Sequence, residues 1–123
     1  MTIGFLEGLL WLSLNIYHEA RGDTRIGQLA VAHVTLNRAL QKKQSLEEVV
    51  IAPYQFSWTF QKNTFVPTEP KAFLECMKSA LYAMVSDDFT QGATYYHRQD
   101  INPDWSEQMT FIAQYGQHKF YRP

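Results

Sequence analysis

A carboxylic acid that stays protonated near neutral pH can hand its proton to the leaving oxygen of a glycosidic bond. Glu19 is the residue best placed to be such an acid, because it closes a long apolar run. Apolar surroundings penalise an ionised carboxylate, and the C-terminal end of a helix opposes its charge, so both push its pKa up. The same position also suits a salt bridge to Arg21 or Arg25. Glycosidases that work with two carboxylates need a second acid across the bond. Asp23 is nearest but reads as a helix cap, Asp87 and Asp88 close a helix, and Asp100 and Asp104 lie in a loop before Trp105. None stands out. That pattern favours one carboxylate, with the sugar's own substituent attacking the anomeric carbon.

Other chemistries are less well served. His18-Glu19 lacks a second His four residues on, so the zincin helix pattern is missing. His18, His97 and His118 could converge to hold zinc; alternatively His97 and His118 hydrogen-bond across a sheet or contact substrate. His33 lies inside an apolar helix and reads as a satisfied core histidine. There is no Gly-rich phosphate loop, and no Ser has the nucleophile-elbow context. Ser57, in an aromatic stretch, is better suited to donate to a substrate or to the acid. Cys76, the only cysteine, rules out an intrachain disulfide and reads as a small buried hydrophobe.

The elements that must position these groups follow from periodicity. Residues 3–20 are too apolar for a solvated helix, so this helix should be wrapped on most sides. Gly22 stops it. Asp23 or Thr24 caps a second helix over Ile26–Leu40, which reads as the buried support for Glu19. Gln41–Gln44 is a polar loop, and Ser45-Leu-Glu-Glu48 is a capping box opening a short helix to Ile51, ended by Pro53. Gln55–Phe60 alternates and predicts a short strand or irregular hairpin, with Lys62-Asn63 as a turn. Thr68-Glu-Pro70 opens a third long helix that ends at Ser86-Asp-Asp88. Gly92–His97 predicts a strand; Met109–Tyr115 and His118–Tyr121 predict a hairpin turning at Gly116-Gln117, as in a type II′ turn. Helices first and a small antiparallel sheet in the C-terminal third make an α+β domain.

Composition narrows the class. A length of 123 residues makes one ordinary domain. Net charge is −1, which argues against a nucleic-acid binder with its basic stripe. The apolar N-terminal run contains Glu7 and lacks a basic leader or a small-residue cleavage site, so it reads as a core helix and not a signal peptide. It is too short to span a bilayer. Aromatics reach 15%, enough for an aromatic-rich core or for a groove facing sugars.

Ile16-Tyr-His-Glu-Ala-Arg-Gly-Asp23, followed by Gly27–Arg38 (GQLAVAHVTLNR), resembles the opening motif of the SleB/CwlJ-type cell-wall hydrolases, the spore cortex-lytic family. Gln55-Phe-Ser-Trp58 resembles its second motif. Gly92-Ala-Thr-Tyr-Tyr-His97, Pro103-x-Trp105 and Gly116-x-His-x-Phe-Tyr-Arg122 resemble its third. Order and spacing match over nearly the whole chain. The departures are Asp23 for a usual Glu, Tyr96 where His is frequent, and Thr59 after the Trp.

The resemblance implies a lysozyme-like α+β fold, one catalytic domain over residues 1–123, and cleavage of peptidoglycan glycan strands at the MurNAc–GlcNAc β-1,4 bond. It implies a lytic transglycosylase or a muramidase, with Glu19 as general acid and then base and no cofactor or metal. Gln55, Phe56 and Ser57 would line the cleft floor, with Tyr95, His97 and His118 near the acid. A zinc-dependent N-acetylmuramoyl-L-alanine amidase is the alternative, and a non-catalytic wall-binding module a third reading. Spore members commonly carry a signal peptide and a wall-binding domain. A bare domain resembles a bacteriophage endolysin, made in the host cytoplasm without a signal peptide and acting at the wall. A monomer with no nucleic-acid partner and no stable membrane insertion is the expected state.

Overall fold

The computed structural model describes residues 3–52, 55–60 and 65–123. Among them, helices α1 (Ile3–Ala20), α2 (Arg25–Lys42), α3 (Leu46–Ile51) and α4 (Pro70–Met84) precede strands β1 (Tyr95–Arg98), β2 (Thr110–Tyr115) and β3 (His118–Arg122). Two 3-10 turns, Ser57–Phe60 and Asp104–Gln108, complete the order. The sheet is antiparallel with order β1-β3-β2, so the late hairpin strand β3 sits in the middle.

The main core gathers Leu12, Ile16 and Tyr17 of α1, Val31 and Val34 of α2, Cys76 and Ala80 of α4, and Phe120 of β3. Small residues on α2 and α4 let the helices approach closely. Only the C-terminal half of α1 is enclosed: Leu12–Tyr17 are buried, whereas Leu6 and Leu10 are exposed. The expectation that α1 is wrapped on most sides therefore holds only for the turns that lead to Glu19. No helix among the described residues is long and apolar enough to cross a membrane.

Local signals act as their chemistry dictates. Gly22 leaves α1 at φ 85°, a left-handed conformation that glycine adopts without strain. Thr24, not Asp23, caps α2: its hydroxyl accepts from the Gly27 amide at 3.1 Å. The predicted polar loop at Gln41 begins two residues later than expected, at Lys43, which takes the left-handed C-cap position after α2 runs on through Lys42. Ser45 and Glu48 form the full capping box of α3. Pro53 and Lys62-Asn63 lie outside the described residues.

Gln55–Phe60 is not a strand. Ser57–Phe60 is a 3-10 turn, held by the Thr59 amide donating to the Phe56 carbonyl at 3.2 Å. The alternation that predicted a strand comes from two anchors. Phe56 and Trp58 both bury into a second cluster with Leu14 and Val50. The Trp58 indole donates to Asn15 Oδ1 at 2.9 Å, inside α1, and that buried bond curls the segment inward. Ser57 and Thr59 are left on the outside by the turn, which mimics a period of two.

The β2–β3 turn is the two-residue hairpin expected, with Tyr115 paired to His118 and Gly116 at φ 59°. The predicted strand from Gly92 is regular only from Tyr95.

Candidate active site

Glu19 occupies the last turn of α1 and opens into a cleft of about 480 Å³. His18, Ser57, Tyr96, His97, Trp105 and His118 line the cleft with it. Among the described residues lining it, Glu19 is the only carboxylate.

The end of α1 is pinned from behind. Gln28 of α2 donates its amide to the Ala20 carbonyl at 3.2 Å, satisfying one of the acceptors that a helix end leaves open. Ser79 of α4 in turn donates to the Gln28 carbonyl oxygen at 2.7 Å. Tyr17 anchors the same turn to the start of α4, where its hydroxyl accepts from the Thr68 and Glu69 amides at 3.1 Å each. The salt bridges open to Glu19 in the sequence do not form: Arg21 pairs with Glu69 at 2.7 Å and Arg25 with Glu75 at 3.1 Å.

What holds Glu19 instead is Tyr96 of β1, whose hydroxyl donates to Oε1 at 2.5 Å. Burial raises the Glu19 pKa, while the Tyr96 hydrogen bond and the charge of Arg38 pull the other way. The net effect is upward, towards a carboxylic acid that keeps its proton. Burial and the neighbouring Glu19 likewise push Tyr96 well above the usual phenol range, so its hydroxyl remains a donor.

Asp23 takes a different role from the one its sequence position implies. Its side chain is buried and accepts from the Thr24 amide at 2.7 Å, the Gln117 amide at 3.2 Å and His118 Nδ1 at 3.1 Å. The fit is tight enough to need glycine on both sides. A Cβ at Gly116 would lie 2.1 Å from Asp23 Oδ1, and one at Gly27 would lie 2.6 Å from Oδ2. Asp23 thus welds the α1–α2 corner to the β2–β3 turn. It also fixes the His118 tautomer with the proton on Nδ1, leaving Nε2 for the cleft. Burial lowers the His118 pKa against the opposing pull of Asp23, which favours the neutral ring.

The remaining predicted residues divide. Ser57, His97 and His118 line the Glu19 cleft. His97 is fully engaged: Nδ1 donates to the Arg98 carbonyl at 2.6 Å, and Nε2 accepts from the Tyr121 hydroxyl at 2.8 Å. Gln55 and Tyr95 line a neighbouring cavity instead. Phe56 lines neither, being only 3% exposed within the second core cluster. Aromatic residues serve both purposes weighed from composition: Trp58, Phe56 and Phe120 are core, while Tyr96 and Trp105 line both cavities.

His18 stacks on Trp58 with ring centroids 4.4 Å apart and reaches the Phe65 carbonyl at 3.4 Å. With His97 and one nitrogen of His118 also engaged, a three-histidine zinc site is not assembled. Among the described residues no three of His, Cys, Asp and Glu are grouped as a metal would require. Cys76 is buried, and burial pushes its thiol up to about 11, which suits an inert core residue. His33 is a core histidine as expected, but its Nε2 has no hydrogen-bond partner among the described residues.

Residues 22–121 match the model of the Cell Wall Hydrolase family, and the chain belongs to that family. It is similar to the catalytic domain of the germination-specific lytic transglycosylase SleB from Bacillus anthracis. That likeness has a TM-score of 0.80 at 25% identity and covers 99% of this chain and 97% of that one. The catalytic domain of the Bacillus cereus SleB protein gives a TM-score of 0.79 at 26% identity over 95% of this chain and 91% of that one. The fold is therefore the mainly helical, lysozyme-like α+β fold expected. A spore cortex-lytic enzyme of Halalkalibacterium halodurans is 30% identical over 108 residues, 85% of this chain and 32% of its own length. The chain thus spans about a third of that relative. The family match begins three residues after Glu19, whereas the match to the Bacillus anthracis domain covers nearly the whole chain.

Two functional candidates were missed in the sequence. Tyr96 stood out only as a departure from a family pattern, and Asp23 was assigned to capping. The signal for Tyr96 is strand alternation. Tyr95 and His97 share one face, against Trp105, and Tyr96 takes the other, beside His118 and Phe120.

Proposed function

We propose that this chain is a peptidoglycan lytic transglycosylase in which Glu19 is the sole catalytic carboxylate. The observation that carries this reading is a cleft containing one raised carboxylic acid and no second acid among its described lining residues. Inverting and retaining hydrolases of the two-carboxylate kind place the second carboxylate about 5–9.5 Å from the first. Kinship with the SleB catalytic domain supports the same reading.

In this mechanism the protonated Glu19 gives its proton to the glycosidic oxygen as the bond to the muramoyl anomeric carbon breaks. The C6 hydroxyl of the same muramoyl residue then attacks that carbon. The Glu19 carboxylate takes the hydroxyl proton, which closes a 1,6-anhydro ring and restores the acid. Tyr96 stabilises the carboxylate in the interval, since a hydrogen bond to a charged acceptor is stronger than one to a neutral acceptor. His118, oriented by Asp23, and Ser57 offer polar contacts to the sugar hydroxyls.

Mass spectrometry of muropeptides released from purified sacculi tests the product. Anhydromuramoyl ends are expected. Reducing ends would make the enzyme a muramidase with an activated water. Free amino groups released without glycan cleavage, and lost on chelation, would transfer the assignment to the amidase reading.

Tyr96→Phe removes the donor that favours ionised Glu19. Glu19 then holds its proton to higher pH, so the alkaline limb of the pH–rate profile should move up while the peak rate falls. A limb that stays in place or moves down would remove Tyr96 from control of the acid.

A further inference from the structure

We propose that a second cavity, next to the Glu19 cleft, binds a carboxylate carried by the substrate strand. The proposal rests on the glycan-strand reading above and extends its binding site. The cavity has a volume of about 420 Å³, and Arg38, Gln41, Lys42, Gln55, Tyr95 and Trp105 contribute to its walls. Tyr96 and Trp105 line both this cavity and the cleft, so a strand seated with its scissile oxygen at Glu19 can pass from one to the other.

The cleft contains the Glu19 acid and Arg98, the latter paired with Asp100 at 3.2 Å, whereas no Asp or Glu side chain among the described residues lines the second cavity. Arg38 and Lys42 stand four residues apart on α2, and the i,i+4 spacing puts them on one helix face, where like charges repel. Lys42 has no ion pair among the described residues. This protein has a net charge of −1, so two cationic side chains on one cavity wall are a local feature and not a general one; Pro123, the last residue of the sequence, also lines this cavity.

Arg38 is built into place. Its Nε donates to the Thr94 carbonyl at 2.7 Å, and Nη1 lies 3.4 Å from Gln55 Oε1. Its guanidinium carbon stands 5.3 Å from the Phe56 ring centroid and 5.6 Å from that of Tyr95. These contacts hold the plane and leave Nη2 without a hydrogen-bond partner among the described residues. A planar, pre-oriented guanidinium is suited to carboxylate recognition, and Lys42 adds a mobile point charge.

Peptidoglycan offers carboxylates in two places. Each muramoyl residue bears a lactyl ether whose carboxyl is free when no peptide is attached. When a peptide stem is attached, the stem carries carboxylates further out. The lactyl carboxyl lies within a few bonds of the sugar that Glu19 would cut, and the stem carboxylates lie further along the attached peptide. Gln55 and the Tyr95 and Trp105 rings supply the hydrogen-bonding and apolar surface that the adjoining sugar or stem needs.

Calorimetric titration of Glu19→Gln protein, which binds without turnover, tests this with soluble glycan strands in three forms. One bears intact stems, one is stripped of stems to leave the lactyl carboxylate, and one has its carboxyls chemically amidated. Amidation should weaken binding about tenfold, and adding Lys42→Glu should weaken binding of the intact strands by a similar factor while leaving the amidated strands unaffected. Stripped strands that keep the Lys42 dependence assign the site to the lactyl carboxylate; stripped strands that lose it assign the site to the stem. Equal affinity for amidated and intact strands, no effect of Lys42→Glu, or no binding of any form overturns the proposal. The underlying reading is judged separately, by whether the unsubstituted chain releases new glycan ends from sacculi.

Discussion

Glu19→Gln is expected to lower the rate of glycan cleavage by about 10²- to 10⁴-fold, the range over which a positioned general acid contributes. The amide keeps the shape and can still accept from the Tyr96 hydroxyl, so the cleft should persist. Stability should change in the opposite sense to activity. Glu19 has a folded pKa above its unfolded value, mainly through burial. Below the unfolded value the group is protonated in both states and exacts no penalty. As pH rises from there through the folded value, the native state is progressively forced to bury a charge and loses stability. Gln cannot ionise. The variant should therefore match the parent Tm in acid and exceed it at neutral to mildly alkaline pH. Thermal melts across that range, paired with turbidity loss on sacculi, check both halves. A folded Gln variant with a near-normal rate would remove Glu19 from the mechanism.

Trp58→Ala is expected to be the most damaging single truncation to the fold near the site. Trp58 is 4% exposed and fills the second core cluster with Leu14, Val50 and Phe56. Loss of so large a buried ring costs about 3–5 kcal/mol. The fully buried Asn15 would also lose the donor to its Oδ1, worth about a further 1–3 kcal/mol. Together these approach the whole stability of a small domain, about 5–15 kcal/mol. His18 would lose the ring on which it stacks, and the Ser57 turn its anchor, so the cleft wall would loosen as well. Trp58→Phe weights the effects differently, because it retains most of the buried volume while removing the N–H. Urea unfolding of both variants is the measurement. A loss under about 1 kcal/mol for the alanine variant would show that the cluster collapses around the gap instead of supporting the turn.

Local chemistry made much of the helical half legible. The Ser45 capping box, the glycine stop at Gly22 and the Pro70 start of α4 each depend on a few neighbouring residues, so their signals survive in isolation. The hairpin at Gly116 belongs to the same class. The Gln55–Phe60 segment was misread because its alternation is produced by Asn15 and Leu14, more than 40 residues earlier. Asp23 was misread for a similar reason. Next to Thr24 it is an acceptable cap, and only the arrival of Gln117 and His118 from the end of the chain gives its carboxylate a better set of donors.

By itself the sequence determined an α+β chain with one well-placed acid at the end of an apolar helix. Helix periodicity, caps and turn chemistry are short-range properties, and the poor fit of a carboxylate to an apolar helix end is one of them. The tertiary structure alone decided what that acid touches. Strand alternation placed Tyr95 and Tyr96 on opposite faces, but nothing local said which face meets α1. Packing of the Phe120 side of the sheet on the helices settled it, bringing Tyr96 to Glu19 and sending Tyr95 to the cationic cavity with Arg38. The same packing carried His118 to Asp23 across 95 residues. Hydrogen bonds of that span depend on the summed burial of the whole core, so no window of the sequence contains them.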